Sequence, residues 1–241
     1  MRLDRRLGAG TVFEVWRAVD RDGRRFALKR PRPEWAARPE ALAALRREAA
    51  VLAAARHPNV VELHALGTHE RRLALATELL EGGDLVALAG ADPAHWGEAF
   101  LAVLAALRHL HAAGWAHRDV KARNVLLGAD GRARLIDFAS AAPLGAAAPS
   151  GGVTPGHARP AGPGERVEPA DDAYGAAALL FELARGPLPA RPDEAFAAGR
   201  AAVLEALAPA VERLLGGAAE PGPGSLSELL NVIESVAPSR T

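Results

Sequence analysis

His117-Arg118-Asp119-Val120-Lys121-Ala122-Arg123-Asn124 and, thirteen residues beyond Asn124, Asp137-Phe138-Ala139 are the stretch on which the reading of this chain turns. A carboxylate, a lysine two residues on and an amide five residues on share one short loop. Val125 to Leu127 and Ala133 to Ile136 then read as two brief strands around the turn Asp130-Gly131. A salt-bridged turn would account for His117-Arg118-Asp119 alone. It leaves unexplained why Asn124 and Asp137-Phe138 follow where they do.

Toward the N-terminus the pattern is β. Arg2 to Leu7, Phe13 to Val19 and Arg24 to Lys29 are short runs separated by Gly8-Ala9-Gly10 and Asp22-Gly23. Pro39 to Arg56 carries Leu42, Leu45, Ala49 and Leu52 at helical spacing and stops at His57-Pro58-Asn59. Val60 to Leu66 and Leu73 to Leu79 complete a small antiparallel sheet. After Glu81-Gly82-Gly83 the texture becomes helical, beginning with Trp96 to Ala113, which Gly114 ends. Pro143 to Pro169 is a Gly-, Pro- and Ala-rich stretch of the length that loops reach when they carry function. Helices are expected over Asp172–Arg185, Asp193–Leu207, Pro209–Leu215 and Ser225–Val236.

Composition narrows the function classes. Lys+Arg and Asp+Glu both number 29, so the formal charge is zero, and no basic stretch alternates with aromatics as in nucleic-acid binders. The absence of cysteine excludes disulfides and thiolate metal sites and suits the cytoplasm. Met1 to Arg6 is too charged for a secretory leader, and runs such as Ala176 to Phe181 fall far short of the ~20 apolar residues of a membrane span. A cytoplasmic protein, monomeric or weakly dimeric and not inserted in a membrane, is expected. The Ala- and Arg-heavy composition, with one Met and one Tyr, points to a GC-rich bacterial genome.

The catalytic-loop string and Asp137-Phe138 resemble motifs of eukaryotic-type serine/threonine protein kinases, and further strings follow the same family order. These are Gly8-x-Gly10 with Val15, Phe26-Ala27-Leu28-Lys29, Glu48, His57-Pro58-Asn59, Thr77-Glu78 and Gly82-Gly83-Asp84-Leu85. Thr154-Pro155 and Asp172 with Glu182 close the series, so the likeness spans roughly residues 3 to 190. It implies an α+β, bilobal kinase fold: a small antiparallel sheet with one helix over residues 1–79, a hinge at 80–84, and a mainly helical, somewhat abbreviated lobe over 85–241. The activation segment would cover about 137–161.

The same likeness implies the roles. ATP would sit beneath Leu7, Gly8 and Gly10, under an apolar roof of Val15 and Ala27, with Thr77, Glu78, Asp84 and Leu126 among its other binding positions. Lys29 would hold phosphate and pair with Glu48, nineteen residues on. Asp119 would be the catalytic base and Lys121 the cation that neutralises the phosphoryl group, with Thr154 bridging the two. Asn124 and Asp137 would offer oxygens to Mg²⁺, or to Mn²⁺. Lys121 with Thr154 favours protein substrates bearing serine or threonine. Ser150 is a candidate phosphosite for Arg118. His117, Leu52, Leu63 and Phe138 match the apolar stack that links the lobes, anchored by Asp172.

The chain departs from the family pattern at Phe13, where the third glycine of the phosphate loop is expected, and at Ala139 after Asp137-Phe138. It departs again at Ala161, where a glutamate should pair with a late arginine; Glu165 and Glu168 are candidate substitutes. These departures keep a pseudokinase, binding nucleotide or a partner without transfer, as an alternative. A small-molecule kinase of the aminoglycoside or choline type is a further one, opposed by Arg118, Lys121 and Thr154-Pro155.

Overall fold

The computed structural model describes residues 1–148, 154, 156–159, 164–186, 194–217 and 221–236. Five antiparallel strands, β1 (Arg2–Ala9), β2 (Phe13–Val19), β3 (Arg25–Pro31), β4 (Leu63–His69) and β5 (Arg72–Thr77), form one sheet in the order β1-β2-β3-β5-β4. The β2–β3 turn is made by Asp20, whose Oδ1 accepts the N–H groups of Asp22 and Arg24 at 2.9 Å, with Gly23 at φ +81°. One face of β3 carries Phe26 and Leu28 into a small core with Ala18, Ala74 and Ala76. Ala27 and Lys29 alternate to the other face.

Helix α1 (Pro39–Ala54) starts with Pro39 in its first turn, where a missing N–H costs nothing, and buries Leu45, Glu48, Val51 and Leu52 on one side. Helix α2 (Pro93–Ala112) is capped by Asp92, which accepts the Ala94 N–H at 2.8 Å. Helix α3 (Pro169–Arg185) has eleven of its seventeen residues buried, so it is a core helix and not a surface one. Its Gly175 is required by a close approach: a Cβ there would come 3.0 Å from Val120 and 3.2 Å from the His157 carbonyl. The short strands β6 (Trp115–Ala116), β7 (Val125–Leu127), β8 (Ala133–Leu135) and β9 (Ala142–Pro143) hold the loops between α2 and α3, as β6 pairs with β9 and β7 with β8. A single buried apolar cluster runs from Leu45 and Leu52 of α1 through Phe138 and Leu135 to α2 and α3, joining sheet and helices. The architecture is thus the α+β, bilobal one expected.

Three expectations need correction. Residues 194–216 are one helix, α4 (Glu194–Gly216), where the sequence predicts two split at Pro209. Pro209 removes one backbone donor, but Val203, Leu204, Leu207, Val211 and Leu215 are a continuous buried stripe across it, and that burial keeps the helix running. Helix α5 (Pro223–Val236) follows. Strand β4 begins at Leu63, not Val60: Val60 and Val61 are buried outside any strand, and the Val61 N–H donates to the Leu135 carbonyl at 3.1 Å. The predicted loop from Pro143 to Pro169 starts on the last residue of β9 and contains an isolated bridge between Ala147 and Arg166, and α3 starts at Pro169, three residues before Asp172. Among the described residues no helix is long and apolar enough to cross a membrane.

Candidate active site

A cleft of about 600 Å³ opens between the sheet and the helices. Leu7, Gly8, Val15 and Ala27 line its sheet side, and Thr77 and Glu78 its inner end. Asp84 and Leu126 line it from the helical side, with Lys29, Glu48 and Asp137 also on its wall. Gly10 is off that wall, its N–H bonded to the Phe13 carbonyl at 2.8 Å. The segment after β5 is clamped to β7, since Gly82 N–H donates to Leu127 O and Leu127 N–H to Gly83 O, both at 2.9 Å. A Cβ on Gly82 would come 2.7 Å from that Leu127 carbonyl. The clamp holds Leu126 in the cleft.

At the inner wall Lys29 Nζ lies 2.8 Å from Glu48 Oε2 and 2.6 Å from Asp137 Oδ1, while Glu48 Oε1 accepts the Phe138 N–H at 3.2 Å. β3, α1 and the turn after β8 thereby meet at one ammonium. Burial alone would push the Lys29 ammonium down, but the two carboxylates outweigh it and hold it well above its ordinary value. The Glu48 carboxyl is pushed up, first by burial and also by the Asp137 charge, against the pull of Lys29. Asp137 is desolvated too, yet Lys29 dominates and holds it at about 2. Its side chain stays 41% open to the cleft. Its Oδ2 carries no hydrogen bond among the described residues.

The loop from His117 is hung from α3. Asp172, fully buried, accepts the N–H groups of His117 at 2.8 Å and Arg118 at 2.7 Å, and His111 Nε2 lies 2.8 Å from the same carboxylate. Burial pushes Asp172 up, but His111 and these donors win and keep it low and charged. The tether holds Arg118 at φ +67°, a conformation uncommon for a side-chain-bearing residue. His117 packs edge-on against Phe138 with centroids 4.7 Å apart. Phe138 and Leu52 belong to the cluster that joins sheet and helices, and Leu63 packs against it.

Beyond that tether, Asp119 is the centre of a closed set. Lys121 Nζ donates to Asp119 Oδ2 and to Thr154 Oγ1, both at 2.6 Å, and Thr154 Oγ1 donates to Asp119 Oδ1 at 2.6 Å. Asn124 Nδ2 donates to the Asp119 carbonyl at 2.8 Å and to Oδ2 at 3.0 Å, which leaves the Asn124 Oδ1 uncommitted. Seven of the residues singled out for chemistry therefore form two neighbouring sets, Lys29-Glu48-Asp137 and Asp119-Lys121-Asn124-Thr154.

Other positions differ from expectation or went unseen. The Glu78 carboxylate is engaged by the Glu62 N–H at 2.9 Å and Arg134 at 3.1 Å, which leaves its backbone carbonyl for the binding role expected of a hinge residue. Asp84 caps the 3-10 turn Leu85–Leu88 by accepting the Val86 N–H, a local bond that takes one of its oxygens. Glu165 and Glu168 each lie 3.5 Å from Arg159, and Asp171 bonds Arg159 at 3.0 Å, so among the described residues Glu165 and Glu168 pair within their own loop and not with a late arginine. Ser150, Pro155 and Ala161 lie outside the described residues. The sequence reading missed His111 beside Asp172, His157 3.4 Å from Glu182, and Arg47, which donates to the Ala139 carbonyl at 2.7 Å. Only His111, one residue before the end of α2 and six before His117, carried a positional signal.

A sheet with one helix over a helical lobe, and a cleft between them with these two charged sets, define a protein kinase. A family model for the protein kinase domain matches residues 1–210, and the chain belongs to that family, in its serine/threonine branch. It is 32% identical over 209 residues to serine/threonine-protein kinase PknA of Mycobacterium tuberculosis, covering 80% of this chain and 48% of the relative. Serine/threonine-protein kinase PknL of the same organism is 34% identical over 200 residues, covering 79% and 50%. CBL-interacting protein kinase 4 of Oryza sativa subsp. japonica is 35% identical over 156 residues, covering 59% and 34%. The chain spans about half the length of PknA and PknL.

Proposed function

We propose that this chain transfers the γ-phosphoryl group of ATP, with Mg²⁺, to serine and threonine hydroxyls of proteins. One observation carries the reading: Asp119 accepts a hydroxyl hydrogen bond at 2.6 Å, from Thr154, while Lys121 bridges both. A carboxylate so held is ready to accept a substrate hydroxyl in the same way. The substrate oxygen attacks the γ-phosphorus as its proton passes to Asp119, the bond to the bridging oxygen breaks, and ADP leaves. Lys121 offsets charge on the transferring group, and Lys29 holds phosphate oxygens while Glu48 fixes the ammonium. Leu7, Val15, Ala27 and Leu126 offer the apolar surfaces an adenine ring needs.

The residues fit Mg²⁺. Asn124 Oδ1 and Asp137 Oδ2 are hard oxygens left uncommitted by their neighbours, and Asp137 is ionised well below neutral pH. When bound, the ion neutralises phosphate charge and fixes its geometry. The proposal includes work in the cytoplasm as a monomer or weak dimer, and sedimentation of the purified chain would contradict the latter by showing a larger assembly.

A second reading, nucleotide binding without transfer, is favoured by one feature. The Phe13 ring centroid stands 5.1 Å from Lys29 Nζ, at the place where the family pattern expects glycine. Incubation with γ-labelled ATP, Mg²⁺ and a mixed serine/threonine peptide library, beside Asp119→Asn, separates the two. Transfer by the wild type, falling about 10²–10⁴-fold in the variant, is expected. ATP-dependent thermal stabilisation without transfer would favour the second reading instead.

A further inference from the structure

The charges of this chain cancel overall but not locally. Residues 1–79 carry 16 Lys and Arg against 10 Asp and Glu, and residues 80–241 carry 13 against 19. Several cations of the sheet are committed: Arg17 to Asp4 and Glu81, Lys29 to Glu48 and Asp137, Arg30 and Arg72 to Glu14 and Glu70. Arg2, Arg5, Arg21, Arg24, Arg25 and Arg123 are different. All six are exposed, and among the described residues their guanidinium groups have no partner.

Strand register connects them. Arg2 pairs across with Val19 and Val19 with Arg25; Arg5 pairs with Arg17 and Arg17 with Ala27. Paired residues of neighbouring strands share a face, so Arg2, Arg5 and Arg25 stand on the face that turns Ala27 and Lys29 toward the cleft. Arg21 and Arg24 lie in the turn at the outer end of that face. Arg5 lines the cleft from the sheet side and Arg123 from the helical side, in the 3-10 turn Ala122–Asn124 that follows Lys121. Of the nearby acids, Asp4 and Glu81 are paired with Arg17, while Asp20 and Asp84 accept turn N–H groups and keep their charge. Asp20 and Asp22 in that hairpin oppose the row, two carboxylates against its six arginines.

We propose that this row docks an acidic stretch of the protein substrate and feeds it to the active site. The proposal rests on the kinase reading above and adds a substrate class to it. All six cations are arginines, whose forked donors suit carboxylates. No exposed aromatic stands among them to stack a nucleic-acid base. A row that ends inside a cleft between two lobes suits a chain that can enter it, which a lipid surface cannot.

The test compares two peptides with the same acceptor, one flanked by three glutamates and the other by three glutamines, on wild type and on Arg2→Gln/Arg24→Gln/Arg25→Gln. These three positions do not line the cleft. Wild type should show a KM about tenfold lower for the glutamate peptide, an advantage that shrinks severalfold at high salt. The triple variant should lose most of it, with kcat and the glutamine-peptide KM kept. Equal KM values, or a preference that survives the triple substitution, would overturn the docking row. Transfer to neither peptide would overturn the kinase reading alone, because anisotropy of a labelled glutamate peptide needs no turnover. Tighter binding to wild type than to the triple variant would then uphold the row, and equal binding would overturn it. An oligonucleotide that binds the row more tightly than the peptide, or salt-sensitive self-association abolished in the triple variant, would also overturn it by assigning another occupant.

Discussion

The two charged sets of the cleft balance charge in opposite ways. At Lys29 one cation stands between two carboxylates, with Glu48 4% exposed. At Asp119 one carboxylate is held by one cation, but also by the Thr154 hydroxyl and N–H and by the Asn124 amide. Removing the cation therefore means different things. Without Lys29, two anions face each other, Glu48 desolvated and Asp137 open only to the cleft, with no other cation among the described residues bonded to either. Without Lys121, Asp119 still has three neutral donors. The first set is held together by its charges, and the second by geometry that its charge only completes.

Lys29→Met against Lys121→Met makes that contrast measurable. Breaking a buried ion pair from one side costs about 3–5 kcal/mol, and Lys29→Met should lose that much in urea unfolding. Lys121→Met should lose only about 1–2 kcal/mol, the worth of one charged hydrogen bond among several. Equal losses would mean that the neutral donors around Asp119 do not hold it alone.

Acidity sharpens the same comparison. In the wild type Asp137 sits at about 2 against an ordinary 3.8. A carboxyl depressed in the folded state stabilises above its unfolded value and loses that contribution as pH falls through the folded one, here between about pH 4 and 2. In Lys29→Met the sign reverses. Glu48 and Asp137, unpaired and close, share a proton more readily folded than unfolded, so stability should rise as pH falls from about 7 to 5. Urea midpoints for the variant at both pH values check this; a midpoint that falls with pH would show that the two carboxylates do not meet without Lys29.

How much of this was legible in the sequence follows from the same physics. Asp119, Lys121 and Asn124 lie within six residues, so one short string carried the likeness that assigned them, and β2 and β7 have the expected bounds. The Lys29–Glu48 pair was reached by family likeness, whereas the Lys29–Asp137 contact, 108 residues apart, was not foreseen, because no local pattern encodes it. Where apolar content was the only guide, it misled. Val60 and Val61 look like a strand start but are buried against β8, while β4 itself exposes His64 through Thr68. Pro209 looks like a break because the donor it removes is a local property, whereas the stripe that outweighs it is a tertiary one. The arginine row was invisible for another reason: a sequence lists charges, and only the fold shows which have partners.

The smallest expected effect concerns Phe13, where a single ring touches the more fragile of the two sets. It lies at the start of β2, partly buried, with its centroid 5.1 Å from Lys29 Nζ. An ammonium near an aromatic face gains about 0.5–1 kcal/mol, which an incoming phosphate must replace. Phe13→Leu keeps most of the bulk and removes that attraction; Phe13→Gly removes both and gives the loop the freedom of a glycine. If the ring competes with phosphate for Lys29, both variants should tighten ATP binding, by roughly two- to fivefold, with glycine at least as effective as leucine. Calorimetric titration with a non-hydrolysable ATP analogue reads this directly. Weaker binding in both would mean that the ring covers the nucleotide instead of competing with it, and the Lys29 set would then owe part of its closure to Phe13.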